Sequence, residues 1–261
     1  MKIRDKEAIC NKLVYEVRYQ YGMTYLDRCG TVANRIMMTY PQWVLRDSPN
    51  PQNAPMVHPL TGMHFNFNAI KYDFSLDQSI NKPLVRADIE SFIDQVDCLS
   101  SIVHEELELS SFVREGFRVW YVLDMESEAD ANRWITNLGV FEIDQSVPAA
   151  FEGQIESAGH VVIVGTTERK YRIEINTAER LERLDVGNLN ILPRSLPRKQ
   201  REALLEQMKG KSRLRQNPQH VVAIDVDAYV DDPVEVAPRD FVSRSIAAVE
   251  TGLPRAFAKQ E

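Results

Sequence analysis

The sequence predicts an α+β fold in which a mainly antiparallel sheet is backed by helices. Residues 13–19 and 117–123 alternate apolar and polar side chains as strands do, and residues 89–103 carry the apolar stripe of a helix. The first half of the chain, residues 1–140, has the order strand, helix, two strands, helix, strand. This order is typical of the ferredoxin-like arrangement, in which two helices cover one face of an antiparallel four-stranded sheet.

The first elements follow one another with clear boundaries. After the strand at 13–19, apolar residues at three- and four-residue spacing over 26–40 predict an amphipathic helix that ends at Pro41. Four prolines then fall between residues 49 and 59. We expect a surface loop at 49–59, because proline sustains neither a helix nor the hydrogen-bond ladder of a sheet.

The next stretch changes its side-chain parity. The apolar residues of 63–67 occupy odd positions, whereas those of 70–76 occupy even positions. The chain must therefore turn or bulge between Asn68 and Ala69, and we expect two strands or one bulged strand there. The helix at 89–103 follows, with acidic residues in its first turn.

A short helix completes the first half. It follows the strand at 117–123, and Ser127 is placed to cap it. We expect this helix to run through Trp134.

The second half, residues 150–261, has a permuted order of two strands, a helix, a strand and a helix. A hairpin is expected around residues 165–168, a helix after Pro197, a strand over 221–230 and a terminal helix. Glycine and proline mark a weak boundary near 139–152, but no residue-level repeat separates the halves. We expect the two halves to pack as one continuous body, with two separate small domains as the alternative.

The composition is that of a globular chain, with 44% apolar and 26% charged residues. Three cysteines at long spacing favour reduced thiols, and no apolar run approaches the roughly 20 residues that span a bilayer. We therefore expect a cytoplasmic protein without a membrane partner. No phosphate-binding glycine loop, zinc-type histidine spacing or nucleophile elbow is present, which favours a binding protein without a cofactor over an enzyme.

Positive charge is concentrated in residues 194–215, which hold eight Lys/Arg against two Glu in a chain of net charge −7. Arg198, Lys199 and Arg201 fall in the first turn of the helix expected after Pro197. The helix dipole opposes cations there by on the order of 0.3 to 1 kcal/mol each, which favours an anionic partner. These three residues are candidates for partner or anion binding, and contact with nucleic-acid phosphates is one form of it.

Two strand motifs carry the remaining candidates. In the R-x-G-x-R motif, Arg114 and Arg118 share one strand face, and Asp225 and Asp227 share a face of the strand at 221–230. The two aspartates have the spacing to hold one Mg²⁺, but no third acid or phosphate cradle accompanies them, so ion pairing is favoured over a metal site. If the strands are neighbours, the two arginines pair with these acids; alternatively, they clasp an anion or a partner carboxylate.

On these motifs the chain resembles a sporadically distributed family of bacterial proteins of unknown function. The resemblance rests on the strand at 14–19, the R-x-G-x-R strand at 114–118, and the I-D-V-D-x-Y strand at 224–229 with the helix after it. It implies a bacterial origin and no known reaction. It also implies a place beside phage-defence systems or mobile loci.

We therefore predict a non-catalytic binding or accessory protein that acts through protein partners. One alternative is a nucleic-acid-binding component that uses residues 194–215, for which affinity would fall steeply with salt. The other is a divalent-metal phosphotransferase or nuclease centred on Asp225 and Asp227, which Mg²⁺ or Mn²⁺ would stabilise against heat.

Overall fold

The structure is a computed structural model that describes residues 1–77, 83–138, 159–166, 168–180 and 219–258. Two short strands, β1 (Lys2–Ile3) and β2 (Lys6–Glu7), pair with each other at the start of the chain. The main sheet has nine strands: β3 (Ile9–Tyr19), β4 (Val44–Leu45), β5 (Ala54–His58), β6 (Met63–Phe67), β7 (Lys71–Asp77), β8 (Phe112–Asp124), β9 (Gly159–Gly165), β10 (Lys170–Arg180) and β11 (Gln219–Asp231). The α-helices of the described residues are α1 (Tyr25–Thr39), α2 (Arg86–Leu107), α3 (Glu128–Thr136) and α4 (Pro238–Ala256).

The strands of the main sheet lie in the order β4-β5-β6-β7-β3-β8-β11-β10-β9, and all neighbours are antiparallel. Within it, the strands β6-β7-β3-β8 have a ferredoxin-like order. Counted along the chain, the first strand of this unit is β3, and it lies between the third, β7, and the fourth, β8. α1 and α2 each join strands that are not neighbours. β4 and β5 extend this unit on one side. On the other side, β11, β10 and β9 continue the same sheet, so the predicted α+β fold is confirmed.

Helices cover one face of the sheet. In β3, the side chains of Leu13, Tyr15 and Val17 are fully buried on this face. α1 packs against α2 and β5, α2 against α4, α3 against β10 and β11, and α4 against β8. One hydrophobic cluster contains residues of both halves of the chain. Burial of apolar surface, the main favourable term in folding, therefore links the two halves.

Local predictions are confirmed at the turns and caps. The break in parity after Phe67 is a turn, in which Asn68 Oδ1 accepts hydrogen bonds from the amides of Ile70 (2.9 Å) and Lys71 (3.0 Å). Ser127 Oγ accepts a hydrogen bond from the Asp130 amide at 3.1 Å and caps α3. β9 and β10 form the predicted antiparallel hairpin.

The expectation of a loop over 49–59 is wrong for its second half, because Ala54–His58 forms β5 between β4 and β6. Pro55 is tolerated in this strand because its backbone faces the point where the short strand β4 ends. Its carbonyl accepts a hydrogen bond from the Arg46 amide at 2.9 Å. Because proline has no N–H to donate, only one hydrogen bond between β5 and the end of β4 is lost.

Two further expectations fall on residues that lie outside the described part of the chain: the boundary near 139–152 and the helix after Pro197. The three cysteines Cys10, Cys29 and Cys98 are free thiols. None of the helices in the described ranges is both long and apolar enough to cross a membrane.

Candidate interaction face

The second face of the sheet carries charged side chains. Because strand residues alternate between faces, the residues between the buried positions of β3 point away from the helices. The same alternation holds in β7, β8, β10 and β11. We call this surface the open face, and its central residues are Lys12, Glu16, Lys71, Arg114, Arg118, Trp120, Lys170, Arg172, Glu174, Asp225, Asp227 and Tyr229.

The four residues of the two sequence motifs meet on the open face, because β8 and β11 are neighbours. Arg118 donates from Nε to Asp225 Oδ1 at 2.8 Å and also donates from Nη2 to Asp225 Oδ2. Arg114 donates from Nη2 to Asp227 Oδ2 at 2.7 Å. The hydrogen bond to Asp225 raises the pKa of Arg118. The predicted pairing of these arginines with these aspartates is therefore confirmed.

This pairing leaves little room for a metal at the two aspartates. Both carboxylate oxygens of Asp225 accept hydrogen bonds from Arg118, and the side chain is buried. A cation would have to displace the guanidinium group. Nowhere in the described ranges do three or more His, Cys, Asp or Glu side chains form a group that could hold a metal ion.

Glu16 links the arginine pairs to the neighbouring strand β7. Lys71 Nζ donates to its Oε2 at 2.8 Å, Arg18 Nε donates to its Oε1 at 2.7 Å, and Arg114 Nη1 lies 3.6 Å from Oε1. Burial alone would raise the pKa of Glu16, but the hydrogen bonds from Lys71 and Arg18 outweigh it and lower the pKa. Glu16 is therefore an ionised centre around which three cations are ordered.

Two aromatic side chains on the open face are each contacted by two cations. Arg118 Cζ lies 4.3 Å from the centre of the Trp120 ring, and Lys12 Nζ lies 5.3 Å from it. On the neighbouring strand, the Tyr229 ring is contacted by Arg114 at 4.8 Å and by Lys170 at 5.7 Å. Cation–π attraction is worth about 0.5 to 1 kcal/mol at exposed sites, so these contacts favour the observed arrangement of rings and cations.

The glycine of the R-x-G-x-R motif lies between the two arginines on the same face. A Cβ atom at Gly116 would lie 3.4 Å from Arg114 Cζ, which is ordinary van der Waals contact. The guanidinium group of Arg114 thus packs directly over the bare backbone and reaches Tyr229, which pairs with Gly116 across the strands. Alanine would fit at this position, whereas a larger side chain would displace Arg114 from Tyr229.

The two variable residues of the motif, Glu115 and Phe117, point to the opposite face. Glu115 is buried on the helix-covered side, and Tyr15 donates its hydroxyl hydrogen to Glu115 Oε1 at 2.7 Å. Burial raises the pKa of Glu115 to about 7. The motif therefore supplies both faces of the sheet: Arg114, Gly116 and Arg118 on the open side, and Glu115 with Phe117 on the core side.

The open face carries a small hollow. It has a volume of about 270 Å³ and is lined by residues that include Lys12, Arg114, Arg118, Trp120 and Asp227. Sites for small molecules and cofactors usually enclose about 300 to 1,000 Å³ and are mostly apolar. A larger hollow of about 690 Å³ lies between α3 and the turn that joins β1 and β2, away from the candidate residues, and is also lined by charged side chains. The hollow on the open face is therefore smaller and more charged than such sites usually are.

Three of the candidate residues predicted from the sequence are not described by the structure, and two residues of the open face were not predicted. Arg198, Lys199 and Arg201 lie outside the described residues, so their role in binding stays a prediction. Sequence reasoning missed the aromatic residues Trp120 and Tyr229 as members of the candidate site. The signal was present, because Trp120 has the same strand parity as Arg114 and Arg118.

No protein-family model, no curated protein and no solved structure matches this chain. The class of protein is therefore defined by its fold and its surface. It is an α+β protein with one antiparallel sheet, which has a helix-covered apolar face and a charged open face.

Proposed function

We propose that this chain is a non-catalytic binding protein that acts through a protein partner, and that the open face contacts this partner. The observation that carries the proposal is the pair of aromatic rings, Trp120 and Tyr229, each of which is contacted by two cations. Tryptophan, tyrosine and arginine are enriched at protein interfaces, and especially among the few residues whose truncation costs most of the binding free energy. The open face combines all three types.

The charge balance of the open face favours a protein partner over nucleic acid. Its cations are engaged by carboxylates of the same face, as in the pairs Arg118–Asp225, Arg114–Asp227 and Lys71–Glu16. A surface that binds phosphates by counterion release needs cations that are free to meet them. The chain as a whole also has a net charge of −7, which disfavours a polyanion.

The ion-pair network also prepares the face for binding. A free arginine or lysine side chain loses on the order of 0.5 to 1.5 kcal/mol of rotamer entropy when an interface immobilises it. On the open face, Arg114 and Arg118 are already held by a carboxylate and by an aromatic ring. A partner therefore meets an ordered surface and loses less free energy on binding. The resemblance to a bacterial family of unknown function implies that this accessory role belongs beside phage-defence systems or mobile loci.

A pull-down from the native host tests the proposal. We expect a protein to be captured by the wild-type chain in the presence of nuclease, and its capture to be lost in a Trp120→Ala/Tyr229→Ala variant. Met38→Ala is the matched control, because Met38 is exposed on α1, on the helix-covered side. Capture that is unchanged in the double variant, or that disappears on nuclease treatment, would refute the proposal.

A second candidate function is nucleic-acid binding through residues 194–215, which the local excess of Lys/Arg favours. It predicts an affinity for duplex DNA whose logarithm decreases linearly with the logarithm of salt concentration. Reversing the charges of Arg198, Lys199 and Arg201 should then weaken binding and reduce the salt slope. Binding that is unaffected by this reversal would eliminate the candidate.

A further inference from the structure

The two edges of the main sheet are built differently. One edge is β4, which has only two residues. The other is β9, which has seven residues and contains no charged residue and no proline. In the described part of the chain, no strand pairs with its outer side. Proteins usually protect an edge by shortness, charge or proline, and β9 has none of these.

The outer edge of β9 is also apolar. The side chains of Val161 and Ile163, which point to the open-face side, are 49% and 60% exposed. Exposed β-branched residues on a long edge strand are the signature of a strand that pairs with another chain.

The hairpin fixes which backbone groups of β9 face outward. The Thr166 amide donates to the Arg169 carbonyl at 2.8 Å, which makes 166 and 169 a hydrogen-bonded pair. Because such pairs alternate along an antiparallel ladder, Val162 bonds toward β10, whereas Val161 and Ile163 direct their N–H and C=O groups outward. Gly159 and Gly165 do the same at the two ends of the strand.

We propose that β9 pairs antiparallel with β9 of a second copy of this chain, about a two-fold axis at Val162. This axis places Val161 of each copy opposite Ile163 of the other, and Gly159 opposite Gly165. All four outward-facing residues then pair with one another. An axis at Val161 or Ile163 would leave one terminal glycine of β9 unpaired.

The sequence of β9 suits a second copy because it is nearly symmetric about Val162. Glycine stands at both ends, and the positions that would meet across the axis carry apolar side chains or histidine and no like charges. Cross-strand pairs of β-branched residues stabilise an antiparallel ladder. The pairing would join the two sheets edge to edge with their open faces on the same side. The dimer does not depend on the function proposed above.

Charge substitutions that depend on the register test the pairing. In V161K/I163K, lysine faces lysine across the axis, and the dimer should be lost. In V161K/I163E, lysine faces glutamate, and the dimer should be retained. Val234→Lys is the matched control, because Val234 is an exposed apolar residue outside the sheet. Light scattering after size exclusion gives the molar mass, and circular dichroism melts establish that each variant is folded.

The expected masses are twice 29.9 kDa for the wild type, the control and V161K/I163E, and 29.9 kDa for V161K/I163K. A wild type that stays monomeric at the highest concentration reached would overturn the proposal. So would equal dimerisation of the two double variants, because only the antiparallel register distinguishes them. A parallel pairing would place position 161 opposite 161, and V161K/I163E would then dissociate as well.

Discussion

The buried carboxyl group of Glu115 makes the stability of this protein depend on pH. Its pKa is raised from 4.5 to about 7, mainly by burial. Since the folded state holds the proton more tightly than the unfolded state, the contribution of Glu115 is fully present below pH 4.5 and is lost as pH rises through 7. Glu115→Gln removes this loss, because glutamine keeps an oxygen that accepts the hydrogen bond from Tyr15 and cannot ionise.

The magnitude follows from the two pKa values. At 1.36 kcal/mol per pH unit, a difference between 4.5 and about 7 corresponds to at most about 3 kcal/mol, of which about 2.5 kcal/mol falls between pH 5 and pH 8. The variant should therefore gain about 2.5 kcal/mol relative to the wild type over this interval. The measurement is urea unfolding of both proteins at pH 5, 6, 7 and 8, with the free energy of unfolding compared at each pH.

His104 makes the comparison between proteins necessary. Its Nε2 atom shares a hydrogen bond of 2.7 Å with the Tyr72 hydroxyl group. Burial lowers its pKa from 6.5 to about 4. Its contribution to stability is therefore lost as pH falls from 6.5 through 4, opposite in sign to that of Glu115. In the wild type, the changes in unfolding free energy with pH that come from Glu115 and His104 offset each other. The difference between Glu115→Gln and the wild type isolates the carboxyl group.

Glu126→Gln serves as the control, since the side chain of Glu126 is exposed. The reasoning is refuted if the difference between Glu115→Gln and the wild type does not change with pH. It is also refuted if the variant becomes less stable than the wild type as pH rises. The first result would mean that folding leaves the pKa of Glu115 unchanged, and the second that the folded protein stabilises its ionised carboxylate.

Three further predictions concern single contacts. His104→Gln should gain up to about 3 kcal/mol relative to the wild type between pH 7 and pH 4, because the glutamine cannot take up a proton; urea unfolding across this range measures it. Arg118→Met should lower the free energy of unfolding at pH 7 by about 1 to 3 kcal/mol, because the buried Asp225 carboxylate loses its partner. The double variant Arg118→Met/Asp225→Leu should recover most of this loss, and equal losses in the single and double variants would contradict the prediction. Ser127→Ala should cost about 1 kcal/mol by removing the cap of α3, whereas Ser127→Asp should cost much less in the same chemical denaturation assay.

The helices and strands that bury one face were predictable from the sequence. In α2, burial of Ile89, Phe92 and Val96 imposes a helical period on the sequence, and in β3 burial of Tyr15 and Val17 imposes a period of two. The pattern is a direct consequence of which side chains leave water, so it can be read without knowledge of the neighbours. The ferredoxin-like order of the first half followed from the sequence of these elements.

The pairing of strands was harder to predict, because it joins residues far apart in the chain. Arg114 and Asp227 are 113 positions apart, and strand parity alone could only state that they would pair if β8 and β11 were neighbours. β5 was missed because its proline opposes a strand in general and is tolerated only where its partner strand ends. The burial of Glu115 was readable, since it shares the parity of the buried Phe117 and Val119.

The R-x-G-x-R strand thus carries two separable properties on its two faces. Substitutions at Arg114, Arg118 or the adjacent Trp120 alter the open face, whose side chains hold one another by ion pairs and cation–π contacts. Glu115 lies behind them on the core side, where its carboxyl group accepts a hydrogen bond from Tyr15. Glu115→Gln should therefore change the pH dependence of stability and leave capture of a partner intact, whereas Trp120→Ala should do the reverse. If Glu115→Gln abolished capture at a pH where it is fully folded, the two faces would be coupled through the strand.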